Sequence, residues 1–274
     1  MEGPGTAPPK PTDLWLIWKI LGILTALAFV ATLAGMPYLL AFIEEEVSGA
    51  EFFQLLLPLL VVVQFAPAPA AGALGLWLGE KVGLGAPILR AWLSGEGDIW
   101  PRFRLSLGLA IVAGLATGFI LLVLSPMAAA FVPEEMYSGA TETAERITAL
   151  MGLGGSFMAG VIEEMEFRLG LMTLLAWLGT VLVRRNPPPA GVAWTANVLA
   201  VLPFGLLHLT NVQALGAPIT PGIIAYVVVA NGLVGVVCGW LYWRHGLEAA
   251  MLAHFSTDVM LHVVPFLFVG LFPS

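Results

Sequence analysis

Seven stretches of this chain stay apolar for long enough to cross a bilayer: 14–43, 52–79, 105–132, 147–183, roughly 196–216, 221–243 and 247–271. In hydrocarbon a backbone can satisfy its N–H and C=O groups only as a helix or a closed barrel, and runs of about 20 apolar residues are helix-length rather than strand-length. The expected fold class is therefore all-α, a polytopic membrane helix bundle of seven to eight transmembrane helices. A chain that is 59% hydrophobic and 11% charged supports the same reading. The lipid bilayer is then its first partner, and nucleic acid is excluded. The net charge of −7 comes mostly from loops and says little about a substrate.

The count turns on 147–183. As one helix it would be ~55 Å long against a hydrocarbon core of ~30 Å, so it must tilt, project or break. Lys and Arg gather in short cytoplasmic loops, which lets them arbitrate. With one long fourth helix, nine of the eleven fall on one side: Lys10, Lys19, Lys81, Arg90, Arg102, Arg104, Arg184, Arg185 and Arg244. The other side holds Glu44, Glu45, Glu46, Glu51, Glu134, Glu135, Glu142, Glu145 and a single Arg146. Splitting the helix would move Arg184, Arg185 and Arg244 to the acidic side. Seven crossings with a cytoplasmic N-terminus follow. The compact, Ala/Gly/Leu-rich composition suits an integral protein of a prokaryotic plasma membrane.

Three regions organise the chain. Residues 1–13 are polar and Pro-rich, without the pattern of a cleavable signal peptide, and read as a disordered cytoplasmic tail. Residues 14–132 are N-terminal membrane helices, interrupted by an interfacial segment at 80–104 that Trp92 and Trp100 anchor at headgroup level. Residues 147–271 form the bundle that carries the chemistry. Pro67, Pro69 and Pro203 are expected to kink their helices. The single cysteine, Cys238, lies in an apolar run and reads as core packing.

Within that last bundle stand ionisable residues that lipid does not tolerate cheaply: Glu163, Glu164 and Arg168, then His208, His254 and Asp258. Each charged group at mid-membrane costs about 2.5 to 3.5 kcal/mol even on lenient insertion scales, so together they imply a shared polar cavity. Glu164 and Arg168 are four apart and share a helix face as an ion pair. Glu163 projects about 100° away, free for chemistry. Phe204 precedes His208 by one turn, and His254 and Asp258 stand one turn apart. Counted from the expected helix ends, His254 lies ~10 Å deep, His208 ~17 Å and Glu163 ~30 Å, so Glu163 fits only if the long helix projects.

The ordered motifs E-E-x-x-x-R, F-x-x-x-H and H-x-x-x-D resemble those of the CPBP family, the CAAX proteases and bacteriocin-processing enzymes that include type II CAAX prenyl endopeptidases. The resemblance covers roughly 147–265. It implies an intramembrane endopeptidase in which Glu163 and His208 activate a water and His254 and Asp258 form the oxyanion side. Glu164 and Arg168 would be the supporting ion pair, and no metal is required. The substrate would be a membrane-associated protein or peptide, prenylated if the CAAX branch applies. Three positions depart from the family pattern. Asp258 stands where Asn is frequent, and an ionised Asp cannot donate to an oxyanion, though it could orient or charge His254. Leu169 replaces a Gly after the Arg, and Glu166 adds a carboxylate.

Two rivals use the same residues. Glu163, His208, His254 and Asp258 are competent zinc ligands, although no H-E-x-x-H pair is present. Intramembrane Glu and His also mark proton pathways, so a transporter or a non-proteolytic scaffold is the alternative outside the enzymes. Ser156 after Gly154 and Gly155 hints weakly at a serine nucleophile. His262 and His245 read as packing and interfacial residues.

Overall fold

Asp13 opens the first membrane helix. Its carboxylate accepts from the Leu16 N–H at 3.1 Å, satisfying one of the donors that a helix start leaves without an intrahelical partner. The computed structural model describes residues 13–42, 54, 57–95, 98–128 and 142–269. The 1–12 tail and the acidic segments at 43–53 and 129–141 lie outside the described residues.

Among the described residues every regular element is helical. In order these are α1 (Leu14–Leu40), α2 (Leu57–Phe65), α3 (Pro67–Val82), α4 (Pro87–Ser94), α5 (Trp100–Ala128) and α6 (Ala149–Glu163). A π-helical segment (Glu164–Met172) leads into α7 (Thr173–Val183), followed by α8 (Ala190–Leu207), α9 (Leu209–Ala214), α10 (Pro221–His245), α11 (Leu247–His262) and α12 (Val264–Val269). Thr148 and Thr220 cap α6 and α10 through their hydroxyls, and Pro221 occupies a first-turn position where its missing N–H costs nothing.

Six of the described helices are long and apolar enough to cross a membrane. The expected run at 147–183 is one continuous rod, 149–183, and not two short spans. The expected seventh span divides at Val263 into α11, of 16 residues, and the short α12. A polytopic helical bundle stands. Leu182, Leu150 and Val229 are 84%, 77% and 71% exposed, an arrangement suited to lipid and not to water. The expected kink at Pro67 takes the form of a break at Ala66 between α2 and α3, whereas Pro203 lies inside α8.

Backbones approach closely wherever a glycine faces a neighbour. A Cβ on Gly114 would overlap the Ala253 carbonyl, and the Thr257 hydroxyl donates to the Gly114 carbonyl at 3.0 Å, which locks α11 against α5. Gly75 of α3 presses on the π segment, where a Cβ would overlap the Leu169 carbonyl oxygen. Because backbone cannot yield as a side chain does, Gly75→Ala is expected to destabilise the protein by about 1–3 kcal/mol. Thermal unfolding in detergent micelles, compared with Gly22→Ala in open space, measures it.

One end of the bundle gathers the ends that carry positive charge. The Asn186 amide donates to the Lys81 carbonyl, Ser106 lies 3.3 Å from His245, and the Leu247 N–H donates to the Gly85 carbonyl at 2.9 Å. Trp194 and Trp243 stack edge to face there, and Lys81 sits over Trp77. The expected depths needed one correction. Helix α8 begins at Ala190, six residues before the expected Ala196, which adds ~9 Å of helix at that end. Counted from that end, His208 then lies ~27 Å along α8, close to the ~30 Å of Glu163 on its own rod.

Candidate active site

The junction between α6 and the π segment is what aims two adjacent carboxylates at one imidazole. Successive helical residues point about 100° apart, so Glu163 and Glu164 reach different sides of a group lying between them. That group is His254 on α11. Glu164 Oε1 meets its Nδ1 at 2.7 Å, while Glu163 Oε2 lies 3.8 Å from its Nε2. The π geometry, in which bonds run from residue i to i+5, follows at once: the Thr173 backbone N–H donates to the Arg168 carbonyl, which also accepts from the Thr173 hydroxyl at 3.2 Å.

Arg168 closes the other side of Glu164. Its Nη1 is 3.1 Å from the same Oε1, and its guanidinium carbon lies 4.6 Å from the centre of the Phe204 ring. The approach is an ion pair by distance but not an aligned hydrogen bond, since neither Nη nitrogen has a bonded acceptor. Side-chain exposure is 2% for Arg168 and 0% for Glu164. Phe204 packs edge to face on Phe167, His208 and His254, with centroids 5.2, 4.8 and 5.9 Å away. One aromatic ring thus sets both histidines and the arginine.

His208 sits where α8 gives way to α9. Its Nδ1 lies 2.8 Å from the Phe204 carbonyl, which can only accept, so Nδ1 carries the hydrogen. In the neutral ring that leaves the Nε2 lone pair directed at Glu163 Oε2, 3.9 Å away. Asp258 Oδ2 is 3.8 Å from His254 Nε2, beyond hydrogen-bond reach. Glu163, His208 and Asp258 keep 22%, 23% and 13% side-chain exposure, against 4% for His254, so the Nε2 side of the cluster is the less buried side, with Glu163 Oε2 itself buried and without a hydrogen-bond partner.

All seven residues singled out from the sequence therefore lie in one cluster on four elements. Their partnering differs from expectation. Glu164, expected to pair with Arg168, also meets His254, while Asp258, expected to orient or charge His254, stands 3.8 Å from its Nε2. The intervening contact spans 90 residues of sequence, and nothing local signals it. Cys238 was read as plain core. It is buried, but its thiol lies within 4.8 Å of the Glu164 and His254 ligand atoms. Ser156 bonds back to the Gly152 carbonyl at 2.8 Å, and His262 meets the Tyr38 hydroxyl at 3.4 Å, so neither joins the cluster directly. A cavity of about 640 Å³ lies elsewhere, at the basic rim between Gly85, Pro87, Ser106 and His245. It is two helical turns, ~12 Å, along α11 from His254, and the chemistry rests with the cluster.

Residues 145–260 match the family model for type II CAAX prenyl endopeptidase, Rce1-like. Over that segment the chain is similar to the Rce1-like family. The match is consistent with the broader CPBP family and supports a CAAX-type protease, a hydrolase. No curated protein and no solved structure matches the chain. The Rce1-like segment contains the whole cluster and excludes α1 to α5.

Proposed function

We propose that the chain hydrolyses a peptide bond in a membrane-associated, prenylated protein or peptide, with a water activated by Glu163 and His208. The observation that carries this reading is the position of Glu163 Oε2, 3.9 Å from one imidazole Nε2 and 3.8 Å from another. These gaps exceed a direct hydrogen bond and are short enough for one small molecule to touch both sides.

Water placed against Glu163 and His208 gives up a proton to that pair as its oxygen attacks the carbonyl carbon. The carbonyl π electrons move onto oxygen, and the resulting oxyanion accepts a hydrogen bond from His254 Nε2–H. That donor requires the imidazolium, because Nδ1–H is already committed to Glu164. Three carboxylates stand around this ring, Glu164 at Nδ1 and Glu163 and Asp258 each 3.8 Å from Nε2. Asp258 serves as a charge partner of His254, since an ionised carboxylate has no proton to donate. Collapse of the tetrahedral intermediate breaks the C–N bond, and the proton held by Glu163 and His208 passes to the leaving amine. The products are a carboxylate and an amine. The basic rim faces the cytosol, where a prenylated substrate would enter from the leaflet.

The test is cleavage of a prenylated peptide by the purified protein in lipid vesicles, run in ¹⁸O-labelled water. Label in the new carboxylate and no covalent enzyme adduct are the expected results.

No metal enters this scheme. Two donors on a tetrahedral zinc at 2.0–2.2 Å stand roughly 3.4 Å apart. The 2.7 Å contact between Glu164 and His254 is shorter than that and supports reading the pair as a hydrogen bond. Chelation of divalent metal is expected to leave the rate unchanged. Loss of activity restored by one equivalent of zinc would transfer the roles of Glu163, His208, His254 and Asp258 to metal ligation.

A further inference from the structure

The N-terminal half of the chain, outside the family segment, holds the helix that carries His254. Four contacts make the connection. Glu248, in the first turn of α11, accepts through Oε1 from the backbone N–H groups of Ile88 and Leu89 at 3.1 and 2.8 Å. These are first-turn donors of α4, left without partners inside their own helix. One residue earlier, the Leu247 N–H donates to the Gly85 carbonyl at 2.9 Å. Gly246, at φ +96°, packs so tightly on Pro87 that a Cβ there would overlap the proline ring. Residues 85–89 are stitched to 246–248.

The two stitched elements have different surroundings. Helix α4 is amphipathic and presents Trp92, 61% exposed, at the basic rim, as a helix lying at headgroup level does. Helix α11 descends from the stitch into the core and reaches His254 and Asp258 within three turns. Glu248 Oε2 is buried without a hydrogen-bond partner, so among residues other than its own the carboxylate is bonded to the α4 amides. A buried carboxylate held by a helix N-terminus is a costly device to keep for packing only.

We infer that Glu248 is a positioning residue that latches the interfacial helix α4 to the His254 helix, so that the seat of α4 on the membrane surface sets the register of His254 against Glu163 and Glu164. This rests on the proposed hydrolysis for its catalytic consequence, though not for the latch itself. A slip of about an ångström at His254 is enough to cost on the order of 10- to 100-fold in turnover.

The experiment compares E248A, E248Q and G246A with the unaltered chain in lipid vesicles. Glutamine keeps the accepting oxygen and alanine removes it; G246A forces the stitch apart by a different route should E248A fail to fold. Three quantities are read: amide exchange at residues 88 and 89, the rate at which a maleimide labels Cys238 beside His254, and kcat with KM on a farnesylated peptide. In E248A and G246A, faster exchange, faster thiol labelling and a kcat lower by about 10-fold or more at unchanged KM are expected. E248Q should remain close to the unaltered chain in all three. Unchanged exchange in E248A would overturn the latch. Faster exchange with unchanged kcat and unchanged labelling would overturn the positioning role, and so would E248Q as impaired as E248A. Should the unaltered chain cleave nothing, the proposed function fails, while exchange and labelling still decide the latch.

Discussion

Glu163→Gln is expected to lower turnover on the order of 10²- to 10⁴-fold, the range a positioned general base contributes, while leaving the fold intact. The amide keeps the shape of the carboxylate but cannot take a proton from water. Glu163 also keeps 22% side-chain exposure, and its Oε2 has no hydrogen-bond partner to lose. Neutralising it even relieves repulsion from Glu164 next to it. The comparison variant is Glu166→Gln, which removes a carboxylate from the same stretch without touching either imidazole. Turnover measured with unfolding temperature separates the outcomes: a Glu163→Gln protein that cleaves normally would end the water-activation scheme, and one that loses activity only because it unfolds would leave Glu163 a structural residue.

Much of this site was legible because membranes make polar residues conspicuous. Against an apolar background, Glu163, Arg168, His208, His254 and Asp258 could be picked out by cost alone. Basic-residue asymmetry correctly kept 147–183 in one rod, and that rod brings Glu163 to the histidines. What stayed hidden was set by distant packing. The choice of Glu164 over Asp258 as the partner of His254 depends on how α11 slides along α6, and Gly114 and Gly75 set such contacts through neighbours far away in sequence. The π segment was equally invisible, since E-M-E-F-R-L-G has no feature that forbids an α-helix. Leu169 lies in that segment with its carbonyl against Gly75 of α3. The stitch at Glu248 was missed because a first-turn acid on α11 looks like ordinary helix-dipole compensation.

Removing Arg168 should do more damage to stability than any other single change in the cluster. Arg168→Met breaks a buried ion pair and leaves the Glu164 carboxylate, with 0% side-chain exposure, supported by His254 alone, and removing one partner of such a pair costs about 3–5 kcal/mol. Arg168→Lys is not a safe substitute. An ammonium lacks the flat face that lies 4.6 Å from the Phe204 ring centre, and with it the stack that holds Phe204 beside both histidines. The sign of the double variant is the sharper test. Glu164→Gln with Arg168→Met removes both charges, so it should recover a large part of the stability lost in Arg168→Met, while turnover stays low because His254 has lost the carboxylate that orients it. A cycle of unfolding free energies in micelles, paired with turnover, distinguishes the two contributions. Recovery of stability together with activity would mean that Glu164 does no more than neutralise Arg168. Recovery of stability alone would assign it to the orientation of His254 as well.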